Sequence, residues 1–138
     1  MPPRPVDISL IISSRNRASG LLNCLDAIAN AARLSGDLQL ELVFVDNGST
    51  DDTSEVFRRW AAVAPLHTNL IYETLPGLAN ARNSGIAAAA GRLLAFTDDD
   101  CEVLPDYFTV IAGLFAADQG IVMRGGRVEL GDVRDLPV

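Results

Sequence analysis

The chain contains no lysine: all eleven basic residues among its 138 are arginines. That absence excludes a P-loop nucleotide site, whose G-x-x-x-x-G-K-[ST] signature requires a lysine on the phosphates. Acidic residues outnumber basic ones by 18 to 11, giving a net charge of −7. No basic stretch breaks this imbalance, which argues against a nucleic-acid-binding surface. Cysteine is scarce. Cys24 and Cys101 stand alone without motif spacing, so neither a disulfide framework nor a zinc site is encoded. Both read as small half-buried thiols in a reducing compartment. The single histidine, His67, reads as a surface loop residue. No apolar run approaches the ~20 residues that a membrane span needs. The N-terminal "MPPRPVD" lacks the apolar core of a signal peptide. These absences point to a cytoplasmic location, with peripheral attachment to the inner face of a membrane left open for a full-length protein.

What the chain does have is apolar material in alternating patterns. Nearly half its residues are apolar, enough for one domain with a core. "VDISLIIS" (6–13), "LQLELVFV" (38–45), "NLIYETL" (69–75) and "RLLAFT" (92–97) are short and β-branched or aromatic, as strands buried on both faces should be. Between them run helical stripes: Leu21, Leu25, Ile28 and Ala32; then Val56, Phe57, Trp60 and Ala64; then Leu78, Ala81, Gly85 and Ala89. The third stripe is made of small residues and suits close helix–sheet packing. A fourth helix follows Pro105, with Phe108, Ile111 and Phe115 as its apolar face. "GIVMRGGRVEL" (120–130) suggests a fifth strand. Strand–helix alternation of this kind builds right-handed βαβ units, hence an α/β fold with a mainly parallel sheet and helices on both faces.

Such sheets bind ligands beyond the carboxyl ends of their strands, at a topological switch point. The predicted strand ends there are "SSRNR", "VDNGSTDDT" and "TDDDCE". In "STDD" (49–52), Ser49, Thr50 or Asp51 suits the cap of the next helix. Asp98, Asp99 and Asp100 exceed any capping need. At an effective dielectric of about 20, each like-charge pair ~4 Å apart costs roughly 4 kcal/mol. A hard divalent cation, Mg²⁺ or Mn²⁺, would relieve that repulsion and share its coordination with substrate phosphates. Alternation along an extended segment would let two of the three face the site while the other anchors the loop.

Taken together, "VDISLIISSRNR", "LVFVDNGSTDDT", "PGLANARNSGIAAAAG" and "LLAFTDDDCEVLPDYF" resemble successive signature segments of the family 2 glycosyltransferases. The resemblance runs in order from about Val6 to the chain end. It implies the Rossmann-like GT-A fold, inverting transfer from a nucleotide-diphosphate sugar, and Mn²⁺ or Mg²⁺ as cofactor. Position by position, it implies Ser13 and Arg15 beside the nucleoside and Asp46 and Asn47 at the base. Arg82 would lie near the nucleoside or diphosphate, supported by Asn83. Asp98, Asp99 and Asp100 would form the DxD-type element that shares ribose contact and metal coordination. A UDP- or dTDP-sugar is the expected donor. Asn47 stands where many relatives carry aspartate, and an amide donates as well as accepts, so the base stays open.

The resemblance covers the donor-binding half of that family's domain, with the acceptor-binding part and the catalytic base expected beyond Val138. Residues 1–138 are therefore expected to form one truncated donor-binding domain, inactive alone and self-associating through 119–138. A receiver-type signalling domain is similar in length, acidity and winding, but that family carries an essential lysine, absent here. A sugar nucleotidyltransferase would show a glycine-rich loop after strand one, which "SSRNR" is not. A non-catalytic nucleotide- and metal-binding module is the alternative that the sequence leaves standing.

Overall fold

The computed structural model describes residues 4–129. Its elements alternate without exception: β1 (Ile8–Ser14), α1 (Leu21–Arg33), β2 (Leu40–Asp46), α2 (Thr53–Ala61), β3 (His67–Tyr72), α3 (Leu78–Ala88), β4 (Leu93–Phe96) and α4 (Tyr107–Ala117). The four strands form one sheet in the order β3-β2-β1-β4, and every pairing is parallel. β1 and β2 occupy the centre and are buried almost throughout, which is why their sequences are continuous apolar runs rather than alternations. The order reverses between β1 and β4. Right-handed crossovers in the two directions put their helices on opposite faces, and a crevice opens at the reversal.

The two faces differ in size. On one, Leu10 and Ile12 of β1 and Leu42 and Phe44 of β2 pack with Leu21, Leu25 and Ile28 of α1, Phe57 and Trp60 of α2, and Phe108 of α4. Phe44 and Phe57 stack with ring centroids 4.3 Å apart, and Trp60 tilts against Phe57 at 6.0 Å. On the other, Ile11, Val43 and Val45 meet Ala81 of α3. A Cβ on Gly85 would come within 2.5 Å of Ile11 Cγ2, so the small-residue stripe is what lets α3 lie directly on the sheet.

Several expectations shift in detail. His67 is exposed, as read, but opens β3 instead of standing in a loop. Pro105 precedes α4, whose N-cap is Asp106, instead of sitting in its first turn. Ala64 and Ala89 lie beyond the ends of α2 and α3. Cys24 is not half-buried: it is a fully buried residue of the α1 core, and both thiols are free. Residues 121–129 form no strand, while Leu130 lies outside the described residues. Asp132 and Asp135 lie outside them too. Among the described residues, no helix is long and apolar enough to cross a membrane.

Candidate functional site

The first two loops at the carboxyl edge are joined to each other through side chains. Asn16 adopts a left-handed conformation (φ 53°), which aspartate and asparagine tolerate better than most residues. Its N–H donates to Ser49 Oγ at 2.9 Å, and its Oδ1 accepts from the Thr50 N–H at 2.8 Å. Arg17 N–H donates to Thr53 Oγ1 at 2.8 Å, and Ala18 N–H to Asp51 Oδ2 at 3.2 Å. Asp51 also accepts from the hydroxyl and the N–H of Thr53, so it caps α2 from one residue before the N-cap. The Thr53 hydroxyl, with the Ala18 and Thr53 N–H groups, holds the Asp51 carboxyl below its usual range.

Asp46 ends β2 and Asn47 follows it, both buried polar residues. Asp46 accepts from the Ser49 N–H at 2.9 Å through one oxygen and from the Ser54 hydroxyl through the other. Asn47 Nδ2 donates to the carbonyls of Glu73 and Leu75 at 2.9 and 2.8 Å, while its Oδ1 accepts from the Gly77 N–H at 3.1 Å. The amide orientation is unambiguous, because two carbonyls only accept and an N–H only donates. Both side chains, expected at a nucleotide base, are thus engaged in hydrogen bonds within the protein that shape the loops after β2 and β3. Support for the β3–α3 loop comes also from Asn80, which donates to the Pro76 carbonyl at 2.9 Å, and from Ser84, which donates to Glu73. Asn83 is exposed and lines a hollow instead.

The three aspartates follow β4 at the sheet reversal. Cys101 N–H donates to the Asp98 carbonyl at 3.2 Å, closing a tight turn with Asp99 and Asp100 at its corners. This turn, not an extended alternation, separates the carboxylates. Asp99 points inward, accepting from Ser14 Oγ at 2.7 Å and Arg17 Nε at 3.2 Å, with its side chain 14% exposed. Asp98 and Asp100 remain 62% and 61% exposed. Arg82 from α3 approaches Asp98 at 3.7 Å, and Arg17 reaches Asp100 at 3.3 Å. Beneath the turn, the Cys24 thiol lies 3.6 Å from the Asp98 carbonyl. Burial, with the nearby Asp99 charge, pushes that thiol up to about 12, so it stays protonated and unreactive near neutrality.

Asp98, Asp100 and Cys101 each offer one ligand atom within 4.8 Å of the others. The two carboxylates suit a hard divalent cation such as Mg²⁺ or Mn²⁺. Burial, with the Asp100 charge, raises the Cys101 thiol and keeps it a weaker, neutral donor. Asp99, expected among the ligands, is turned away as the anchor of the turn. Beside the aspartates, Ala79, Arg82, Asn83, Ile86 and Phe96 line a hollow of about 400 Å³, with the Arg82 guanidinium 5.8 Å from the Phe96 ring centre. A second hollow, of about 510 Å³, lies at the opposite end of the sheet around Ser35, Gln39 and His67, remote from the carboxylates.

Of the other residues expected here, Ser13 is half-buried at the end of β1 on the α3 side, and Arg15 is exposed. Their neighbours Ser14 and Arg17 are the ones that reach the aspartates, and neither was singled out from the sequence. The readable signal was Asn16 between two arginines. Its left-handed turn sends Arg15 outward and brings Arg17 back over the sheet edge.

Fold and site together define a parallel α/β domain with acidic groups and arginines converging at its switch point. The chain belongs to the glycosyl transferase family 2, whose family model matches residues 9–135. It is 32% identical over 126 residues to the glycosyltransferase AglE of Haloferax volcanii, covering 88% of this chain and 39% of that protein. Among solved structures, the mannosyltransferase PcManGT from Pyrobaculum calidifontis, in complex with GDP-Man and Mn²⁺, superposes with a TM-score of 0.63 at 32% identity. That match covers 80% of this chain and 31% of PcManGT. TarS of S. aureus (residues 1–349) superposes with a TM-score of 0.72 at 20% identity over 83% of this chain and 33% of TarS. The chain therefore corresponds to about a third of the length of these proteins.

Proposed function

We propose that this chain forms the donor-binding part of a metal-dependent, inverting glycosyltransferase that takes a sugar from a nucleotide-diphosphate donor. The observation that carries the proposal is the convergence of Asp98, Asp100 and Cys101 ligand atoms within 4.8 Å at the switch point, flanked by Arg17 and Arg82. Asp98 and Asp100, with Cys101, would hold the cation. When bound, the cation neutralises the charge that develops on the departing nucleotide diphosphate. Arg82 presents a planar fork suited to phosphate oxygens. Asp46 and Asn47 act on the nucleoside through the loops that they hold. The presence of Mn²⁺ and GDP-Man in the mannosyltransferase relative supports both the metal and the donor class. UDP- or dTDP-sugars are the proposed donors, and GDP is the informative competitor. Calorimetry of UDP, dTDP and GDP, each with Mn²⁺ and with chelator, tests this. At least one nucleotide is expected to bind only with the metal. Equal affinity in both conditions would remove the metal from the reading.

A second copy of the chain is the proposed partner, meeting this one through residues 119–138, of which 119–129 are described, together with the β4 edge of the sheet. Among the described residues, β4 pairs with β1 alone, and Leu94, Phe96 and Ile86 are each 40% or more exposed beside it. Ile121, Val122, Met123 and Val128 add further exposed apolar side chains from the segment after α4. Unpaired edges and apolar patches favour association. Light scattering at low micromolar concentration should give a mass above that of the 14.7 kDa monomer. A Leu94→Lys, Phe96→Glu double variant should restore the monomer, and a monomeric wild type would refute the pairing.

A further inference from the structure

Arg17 holds two aspartates of the turn at once. Its Nε lies 3.2 Å from Asp99 Oδ1 and its terminal nitrogen 3.3 Å from Asp100 Oδ2, while Arg82 stands 3.7 Å from Asp98. Three carboxylates thus face two guanidiniums, leaving one unbalanced negative charge. This arrangement relieves the repulsion of the aspartates with no cation present. It also places an arginine on Asp100, one of the two carboxylates open to a metal.

The two contacts of Arg17 differ in kind. Asp99 is largely buried, fixed by Ser14 Oγ at 2.7 Å, and belongs to the anchor of the turn. Asp100 is exposed and belongs to the ligand set. The Arg17 backbone is itself pinned by its N–H bond to Thr53 Oγ1. One half of the fork is therefore fixed and the other half is exchangeable.

We propose that Arg17 is an exchangeable counter-ion: it neutralises Asp100 in the empty site, gives that carboxylate up to the cation, and turns the freed end of its fork to the donor diphosphate. The inference rests on the donor-binding reading above and adds a residue that both competes with the metal and binds the substrate. No bond is made or broken. The guanidinium keeps its Asp99 contact throughout, and one ion pair is exchanged for another.

The distinguishing consequence is a pair of changes of opposite sign in Arg17→Gln. Mn²⁺ alone should bind about two- to five-fold more tightly, the size expected for release of a half-exposed ion pair. A nucleoside diphosphate at saturating Mn²⁺ should bind roughly tenfold or more weakly, as loss of a charge-assisted phosphate contact predicts. Mn²⁺ binding is read by the electron paramagnetic resonance of free Mn²⁺. Nucleotide binding is read by calorimetry with whichever of UDP, dTDP and GDP binds wild type most tightly. Damage to the loop would weaken both affinities together, and that result overturns the proposal, as does a metal affinity left unchanged. Arg17→Lys keeps the charge but not the fork. It should leave Mn²⁺ affinity near wild type while still weakening the nucleotide, which keeps the test open if the Gln variant fails to fold. Failure of wild type and Arg17→Gln alike to retain Mn²⁺ would instead bring down the metal reading itself, and the exchange with it.

Discussion

Asp98→Asn combined with Asp100→Asn is expected to abolish Mn²⁺ retention and the metal-dependent part of nucleotide binding, while leaving the fold intact. Asparagine keeps the shape and a carbonyl oxygen but removes both charges that would hold the cation. Loss of groups that merely orient metal ligands commonly costs ~10–100-fold in affinity, so loss of two ligand charges should exceed about 100-fold. Stability should barely respond. Asp98 and Asp100 are 62% and 61% exposed, and surface ion pairs of this kind contribute about 0–1 kcal/mol. Removing two like charges also relieves repulsion. The melting temperature should therefore move by no more than about 4 °C. Asp99→Asn should behave differently, because Asp99 anchors the turn on Ser14 and Arg17. There the loss of stability should be the larger effect. Metal binding that survives the double variant would displace the site from the turn.

How far the sequence disclosed this arrangement follows from the physics of each part. The central strands were legible because burial on both faces leaves unbroken apolar runs in β1 and β2. α3 was legible from its small residues, which Gly85 against Ile11 requires. The Asp98–Asp100 cluster was legible because three adjacent charges exceed what a helix cap or a turn needs. Which aspartate anchors and which are open was not legible, since that depends on the turn closed by Cys101 N–H on the Asp98 carbonyl. Arg15 and Arg17 are equivalent in composition, and only the left-handed φ of Asn16 separates them. The resemblance placed these residue types at the carboxyl edge of the sheet, where the structure has them. It did not show that Asn47 is hydrogen-bonded within the protein, because those bonds reach residues 26 to 30 positions away. Nor did it show that Asp46 is taken up by Ser49 and Ser54 of the loop and helix that follow it.

Asn47→Asp should be among the most destabilising single changes at the site, although it alters one heavy atom. Asn47 is 8% exposed, and its two N–H bonds run to the carbonyls of Glu73 and Leu75. A carboxylate has no proton to donate, so both carbonyls lose their partner and face a negative charge. Each buried group left without its hydrogen bond costs about 1–3 kcal/mol, so a total of about 3 kcal/mol or more is expected in urea denaturation near neutral pH. Asn47→Ala removes the same bonds without adding charge and should cost less. The difference should also depend on pH with a defined sign. An aspartate facing two carbonyls is protonated more readily in the folded chain than in the unfolded one, so the variant's penalty shrinks as pH falls through the carboxylate range. Glu73 adds a second pH-dependent contribution, one that both proteins share while the loop stays folded. Its carboxyl is held below the usual range by the Ser84 hydroxyl and then by the Leu75 N–H, so that contribution is present above the ordinary glutamate value and is lost as pH falls through the depressed one. The two stability curves should therefore converge in acid and separate towards neutrality. Parallel curves, or an Asp variant no worse than the Ala variant, would mean that the 73–77 loop re-forms around the new carboxylate and that Asn47 is not its clasp. Because that loop leads into α3 and Arg82, the Asp variant should weaken nucleotide binding as well, under conditions where the folded fraction is held above nine-tenths by working well below its denaturation midpoint.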